Sequence, residues 1–127
     1  MAQEIYFKDK GHVQRFLEAL RTYNKAYEDG TIDWCYGAAL YIFTADAHTW
    51  DITKQWTHED HIEFREMLGT IDLTAGTDVL LHLAWNLFNN GEFAGPVEFT
   101  RLDQWNYKVA MQAIDIRCHG LQVKALE

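Results

Sequence analysis

The sequence contains no serine, a single proline and only two cysteines. Without serine the chain cannot form a Gly-x-Ser-x-Gly nucleophile elbow, and it also lacks the glycine-rich patterns that cradle nucleotide phosphates. Cys35 and Cys118 lie far apart in apolar stretches, which predicts two reduced, buried thiols rather than a disulfide or a metal-binding pair. Nucleophilic and nucleotide chemistry therefore have no recognisable motif here.

Long hydrophobic runs are also missing. The longest, residues 35–45, is interrupted by Gly37 and Thr44 and is shorter than the roughly 20 residues that a membrane-spanning helix needs. The first residues do not show the basic and then apolar pattern of a signal peptide. We therefore expect a cytoplasmic protein that does not enter a membrane.

Basic residues are outnumbered by acidic ones. The chain has 11 lysines and arginines against 19 aspartates and glutamates, which gives a formal net charge of −8. This charge repels phosphate backbones, so we expect no nucleic-acid partner. It suits approach to a basic protein surface, although the same charge is common in ordinary soluble proteins.

The composition is that of one folded domain. Apolar residues make up 48% of the chain, which is enough for a hydrophobic core at this length. One proline and eight glycines form no linker-like stretch. We expect a single domain over residues 1–127.

Apolar residues recur at helical spacing along most of the chain, and aspartate or threonine residues precede several of these segments as candidate N-caps. The predicted helices are residues 9–29, an almost wholly apolar central helix after Asp33, shorter helices after Asp46 and after Thr57, residues 77–90, and residues 104–119 after Asp103. The Gly95-Pro96 pair within residues 92–100 predicts a loop, with one extended stretch at residues 97–99. The fold class predicted is all-α, a compact bundle or orthogonal array of about five to six helices.

The last helix has a narrow polar stripe on an otherwise mostly apolar circumference. The stripe consists of Gln104, Lys108, Gln112, Asp115 and His119. Asn106 and Arg117 project into the apolar arc and are candidate buried polar residues. A buried arginine needs a carboxylate or several backbone carbonyls, so a structural contact is favoured over a ligand-binding role.

Two histidine–aspartate pairs share the spacing i, i+4, which places each pair on one face of its helix. Asp78 and His82 form one pair, and Asp115 and His119 form the other. Together they are an alternative metal site, since imidazole and carboxylate bind zinc or iron in helical bundles. No histidine follows a glutamate at Glu-x-x-His spacing, so water-exposed helix termini are the favoured interpretation and no cofactor is expected.

The other histidines suggest no chemistry. His58 and His61 are three residues apart, short of the His-Glu-x-x-His spacing of a zinc site, and a solvated helix start is favoured. His12 and His48 are expected on the surface near helix starts.

Aromatic residues are plentiful, with five Trp, six Tyr and seven Phe. Most are expected in the core. Trp50 and Trp56 lie in the poorly patterned middle of the chain, and as an exposed pair they are the candidate partner-binding residues, since tryptophan is enriched in interface hot spots.

Four segments carry a resemblance to a known family. They are residues 6–9 (Tyr-Phe-Lys-Asp), 36–42 (Tyr-Gly-Ala-Ala-Leu-Tyr-Ile), 83–87 (Leu-Ala-Trp-Asn-Leu) and 102–106 (Leu-Asp-Gln-Trp-Asn). In these segments the chain resembles a family of small uncharacterised proteins from Firmicutes and their phages or other mobile elements. The resemblance implies a helical fold and assigns no activity or catalytic residue. A mobile-element origin would favour a protein that binds a host factor.

Three hypotheses of function remain. The leading one is a non-enzymatic protein-binding or regulatory module with a protein partner. The alternatives are a small metal-dependent hydrolase, which requires His82, His119 and their carboxylates to converge at one pocket, and a self-assembling structural protein.

Overall fold

The computed structural model describes residues 4–126 as one body of helices. The α-helices are α1 (Lys10–Thr22), α2 (Trp34–Phe43), α3 (Ala47–Thr53), α4 (Phe64–Thr70), α5 (Ala75–Asn89) and α6 (Gln104–His119). Short 3-10 turns follow at Lys54–Trp56, Pro96–Arg101 and Val123–Leu126. The all-α prediction is confirmed. Within the part of the chain described, no helix combines the length and the hydrophobicity needed to cross a bilayer.

Aspartate N-caps start most of the long helices where the sequence predicts them. The side chains of Asp9, Asp33, Asp46 and Asp103 each accept a hydrogen bond from the backbone N–H three residues later. Such caps satisfy one of the backbone donors left free in a first helical turn. Helix α5 begins two residues earlier than predicted, because Thr74 is its cap and accepts from the backbone N–H of Thr77 at 3.4 Å.

Helix α2 lies at the centre of the fold. Every residue from 36 to 43 is buried, and the helix contacts α1, α3, α5 and α6. Gly37 allows a close approach, since a Cβ atom there would lie 2.5 Å from Ile32 Cδ1 and 3.5 Å from Ile116 Cγ2. A helix that is apolar all round must be enclosed on all sides, as this one is.

Side chains of α1 close the C-terminal end of α2. His12 Nε2 donates to the carbonyl oxygen of Tyr41 at 2.8 Å, and Arg15 Nε donates to that of Thr44, also at 2.8 Å. These carbonyls lie in the last turn of α2, beyond which no further helical turn offers backbone donors, so the contacts supply bonds that a helix end lacks. The prediction that His12 is on the surface is wrong: its ring is fully buried.

The buried His12 ring is neutral. Its Nδ1 accepts a hydrogen bond from the Lys8 backbone N–H at 3.2 Å, so the ring hydrogen lies on Nε2. Burial disfavours the charged ring and lowers the His12 pKa to about 4.

Helix α1 is shorter than the predicted range 9–29. It ends at Thr22, and Asn24 follows with φ of 57°. The backbone N–H of Lys25 then donates to Leu20 O, and an antiparallel bridge joins Ala26 to Ile32. The helical spacing of apolar residues continues past the true end because the reversed segment also packs on the core.

Three further local predictions are wrong. Thr57 does not cap a helix: it is buried and forms an antiparallel bridge with Ile62, so α4 starts only at Phe64. Residues 97–99 lie in a 3-10 turn instead of an extended stretch. Cys118 is exposed and Cys35 is half-buried, so the expected pair of buried thiols is not formed.

Candidate functional site

Asp78 and His82 lie together on α5, as their spacing predicts. His82 Nδ1 is 2.9 Å from the Asp78 carbonyl oxygen and 3.3 Å from Asp78 Oδ1, and its Nε2 is 3.9 Å from Glu92 Oε2. Asp78 and His82 border a pocket of about 190 Å³ that Phe93 and Arg101 line on another side. The pocket is small, and its histidine is already partnered within its own helix.

Asp115 and His119 also pair, on α6. His119 Nδ1 lies 2.8 Å from Asp115 Oδ1, and both side chains are well exposed. The structure does not bring three of the four residues Asp78, His82, Asp115 and His119 within reach of one ion: among residues 4–126 only His58, His61 and Glu63 form such a group. The alternative hydrolase therefore lacks the convergence that it requires.

Trp50 and Trp56 are half-buried and pack against the core. The Trp50 ring meets Tyr23 edge to face, with 6.3 Å between ring centroids. Their predicted role in partner binding stays a prediction, and the most exposed aromatic side chains lie elsewhere.

Asn106 and Arg117 are both half-buried. Arg117 Nε donates to the Leu87 carbonyl oxygen at 2.8 Å, which ties α6 to the end of α5. Asn106 Oδ1 accepts from Lys8 Nζ at 3.2 Å. For Arg117 the structure thus provides a backbone carbonyl, one of the two kinds of partner that the sequence predicts.

Exposed apolar side chains concentrate in one part of the chain. Phe93 is 83% exposed, Val97 78%, Trp105 51% and Tyr107 47%. These are four of the six exposed large apolar side chains in residues 4–126, and they fall within 15 positions that connect α5 to α6 and begin α6; the other two are Tyr27 and Trp34. Such a concentration is unusual because isolated exposed apolar residues are normally scattered over a surface.

Helix α6 divides its apolar residues between two sides. Val109, Ala110, Ala113 and Ile116 are buried in the core. A second set, which we name the outer stripe, occupies a neighbouring arc of about 60° at 100° per residue and consists of Tyr107, Met111, Ile114 and Cys118. Of these, Met111 and Ile114 also pack against the edge of the core. Tyr107 and Cys118 are exposed, and Met111 and Ile114 are half-buried.

Grooves run along both sides of the outer stripe. One has a volume of about 440 Å³, with Tyr107, Met111 and Ile114 on one wall and Pro96 and Phe99 on the other. The second, of about 400 Å³, lies between the same tyrosine and methionine and the side chains of Tyr6, Lys108, Gln112 and Asp115. Tyr107 and Met111 border both grooves and therefore form a ridge between them.

Two charged residues, Lys108 and Asp115, line the second groove. Lys108 Nζ lies 5.2 Å from the centroid of the Trp105 ring and 5.6 Å from that of Tyr6. Arg101 and Glu98 form an ion pair of 2.6 Å beside the 3-10 turn. An apolar centre with a rim of both charge signs is the usual anatomy of a protein–protein interface.

The sequence contains part of this arrangement. It indicates the polar stripe of α6, of which Gln104, Lys108, Asp115 and His119 are exposed. It also shows that the rest of the circumference of α6 is mostly apolar, but the apolar pattern alone does not separate the part that meets the core from the part that stays accessible. The apolar spacing of Phe93, Val97 and Phe99 just before α6 is the signal that a second, outward apolar surface begins there.

A comparison with known families covers almost the whole chain. The model of a family of unknown function, DUF6075, matches residues 2–124. No curated protein and no solved structure matches the chain. The predicted occurrence in Firmicutes and their mobile elements stays a prediction. The chain belongs to the family of unknown function DUF6075.

Proposed function

We propose that this protein is a non-enzymatic protein-binding module that docks an amphipathic helix of a protein partner against the outer stripe of α6. The observation that carries the proposal is the ridge of Tyr107 and Met111 between two grooves. Apolar ridges and grooves of this kind are what a second helix packs into.

The spacing of the outer stripe fits a helical partner. Tyr107, Met111 and Ile114 follow the pattern i, i+4, i+7, so their side chains form a continuous seam along α6. A partner helix with apolar residues at the same intervals would place one row in each groove. Tyrosine and methionine are both enriched at interface centres, where burial of one large side chain contributes about 1.5–3 kcal/mol.

The charge of the chain favours a different protein over a second copy. Two copies would each carry a formal charge of −8, and like charge opposes their association. A neutral or basic partner meets no such repulsion. The resemblance to proteins of mobile elements makes a bacterial host factor the first kind of partner to test.

The experiment compares capture by immobilised variants from a bacterial host lysate. Met111→Lys places a charge on the ridge, and Tyr107→Ala removes an anchor, so both should lose the proteins that the unaltered chain retains. Gln55→Lys is the matched control, because it adds the same charge at an exposed residue outside α6, in the 3-10 turn Lys54–Trp56. We expect this control to capture the same proteins as the unaltered chain.

Two results would count against the proposal. One is equal capture by all variants, which would exclude the outer stripe from binding. The other is a dimer in light scattering that Met111→Lys dissociates, which would make the surface a self-association interface and support the structural-protein hypothesis.

A further inference from the structure

A tight chain reversal precedes α4 and places three potential metal ligands side by side. Thr57 and Ile62 form an antiparallel bridge, and the backbone N–H of His58 donates to His61 O at 2.9 Å. One residue further out, the backbone N–H of Glu63 donates to Trp56 O, also at 2.9 Å. Residues 56–63 thus form a short two-stranded ribbon closed by the turn at residues 59 and 60.

The pleated backbone of this ribbon determines on which face each side chain lies. Neighbouring residues of an extended segment point to opposite faces, and residues paired across the two segments share a face. Thr57 and Ile62 accordingly point inward and are buried. His58, His61 and Glu63 share the opposite, outward face.

Three ligand atoms meet on that face. His58, His61 and Glu63 each offer a nitrogen or oxygen, all within 4.8 Å of one another, and His58 Nε2 lies 2.7 Å from Glu63 Oε2. The two imidazole rings are stacked, with centroids 4.4 Å apart and 20° between their planes. Ligand atoms around a tetrahedral zinc ion lie about 3.3 Å apart, since each is about 2.0–2.1 Å from the metal. Small side-chain rotations suffice to reach that spacing.

A second carboxylate orients one of the rings. Asp60 Oδ1 lies 2.7 Å from His61 Nδ1, which leaves Nε2 of that ring available to a metal. A carboxylate on the remote ring nitrogen is the usual support of a metal-binding histidine, because it fixes the tautomer and the ring orientation.

The ribbon is anchored to the fold through one backbone carbonyl and one side chain. Tyr36 Oη donates to the His58 carbonyl oxygen at 2.6 Å, and Asn24 Nδ2 donates to Glu59 Oε1 at 3.1 Å. These contacts come from α2 and from the turn after α1. The three ligand side chains therefore start from a backbone that is already in place, which reduces the ordering cost of binding an ion.

We propose that His58, His61 and Glu63 form a binding site for a divalent transition-metal ion, zinc by preference. Two imidazole nitrogens and one carboxylate oxygen are ligands that zinc accepts, and they leave a fourth position for water or for a group from another molecule. The site lies in the chain reversal before α4, whereas the outer stripe lies on α6, so the site is independent of the proposed protein-binding function.

The test is titration of the purified protein with Zn²⁺ in competition with a chromophoric chelator. The unaltered chain should bind one ion. His61→Ala, His58→Ala and Glu63→Gln should each weaken the affinity at least about tenfold, since loss of a ligand costs no less than loss of an orienting partner. His119→Ala is the matched control: it breaks the exposed pair with Asp115, which has the same kind of contact at 2.8 Å, and it should leave zinc affinity unchanged.

Circular dichroism should give the same helical signal for every variant. Because His61 is exposed, with 55% of its side chain accessible, its replacement should not unfold the protein. The proposal is overturned if the unaltered chain binds no stoichiometric zinc, if His61→Ala binds as tightly, or if zinc shifts the NMR signals of His119 and leaves those of His58 and His61 in place.

Discussion

Helices α2 and α6 are both rich in apolar residues but have different surroundings. Residues 36–43 of α2 are all buried, because four other helices contact it. Helix α6 buries only one side and exposes or half-buries the residues of the outer stripe. The apolar residues of α2 are thus buried within the fold, whereas part of the apolar surface of α6 stays accessible, and it is this accessible part that we propose as the partner-binding surface.

The largest loss of stability is expected from a substitution in the central helix. Leu40 is fully buried on α2, so Leu40→Ala should lower the free energy of unfolding by about 2–5 kcal/mol through lost burial and a cavity. Met111→Ala on α6 should lower it by less than about 1 kcal/mol, because that side chain is only half-buried. Urea denaturation measures both, and similar losses would contradict the distinction between the two helices.

The next effect is a pH dependence at the end of α2. Above pH 6.5 the His12 ring is neutral in both states, but below it the unfolded chain binds a proton that the folded chain, with a His12 pKa of about 4, does not. Stability should therefore fall with decreasing pH, by about 1.5 kcal/mol between pH 6.5 and 5.

His12→Gln provides the comparison for this effect. This substitution removes the titrating ring. Between pH 6.5 and 5 the unfolding free energy of the variant should therefore fall less than that of the unaltered protein, and the difference should equal the His12 contribution, whatever the absolute stability of the variant. Parallel pH profiles for the two proteins would show that His12 does not cause the dependence.

A smaller effect concerns the attachment of α6 to α5. Arg117→Leu removes the hydrogen bond to the Leu87 carbonyl and should cost about 1 kcal/mol in unfolding free energy, since the arginine is half-buried and part of the bond energy is offset by hydration. Arg65→Leu, at an exposed position of α4, is the control and should change stability by less than about 0.5 kcal/mol. An equal loss of unfolding free energy at both positions would show that Arg117 has no specific structural role.

The smallest stability effect is expected on the outer stripe itself. Tyr107 is 47% exposed, and Tyr107→Ala should change the unfolding free energy by no more than about 0.5 kcal/mol. The same substitution should nevertheless abolish partner capture. A large loss of stability would instead identify Tyr107 as a structural residue.

Local features of the fold are predictable from the sequence, because their causes are local. Asp9, Asp33 and Asp103 bond backbone groups only three residues away, so their positions mark the helix starts. The end of α1 is not predictable in this way. Tyr23 and Tyr27 continue the helical spacing, and only tertiary contacts reveal that the chain has already turned back.

The two surfaces that we propose for binding depend on contacts between residues far apart in the sequence. The apolar arc of α6 is visible in the sequence, but which half of it meets the core depends on where α2 and α5 lie. On a helix, the spacing of His58 and His61 would be only a weak indication of a metal site, and Glu63 would lie on a different face from them. Their convergence follows from the bridge between Thr57 and Ile62, which the helical interpretation of residues 57–60 concealed.

The most direct test of the central claim is photo-cross-linking from the outer stripe. A photoreactive amino acid replaces Met111 in one protein and Gln55 in another, and each is irradiated in a bacterial host lysate. Our account predicts a discrete cross-link to a different protein from position 111 and none from position 55. Equal products from both positions, or a cross-link from position 111 only to a second copy of this chain, would contradict it.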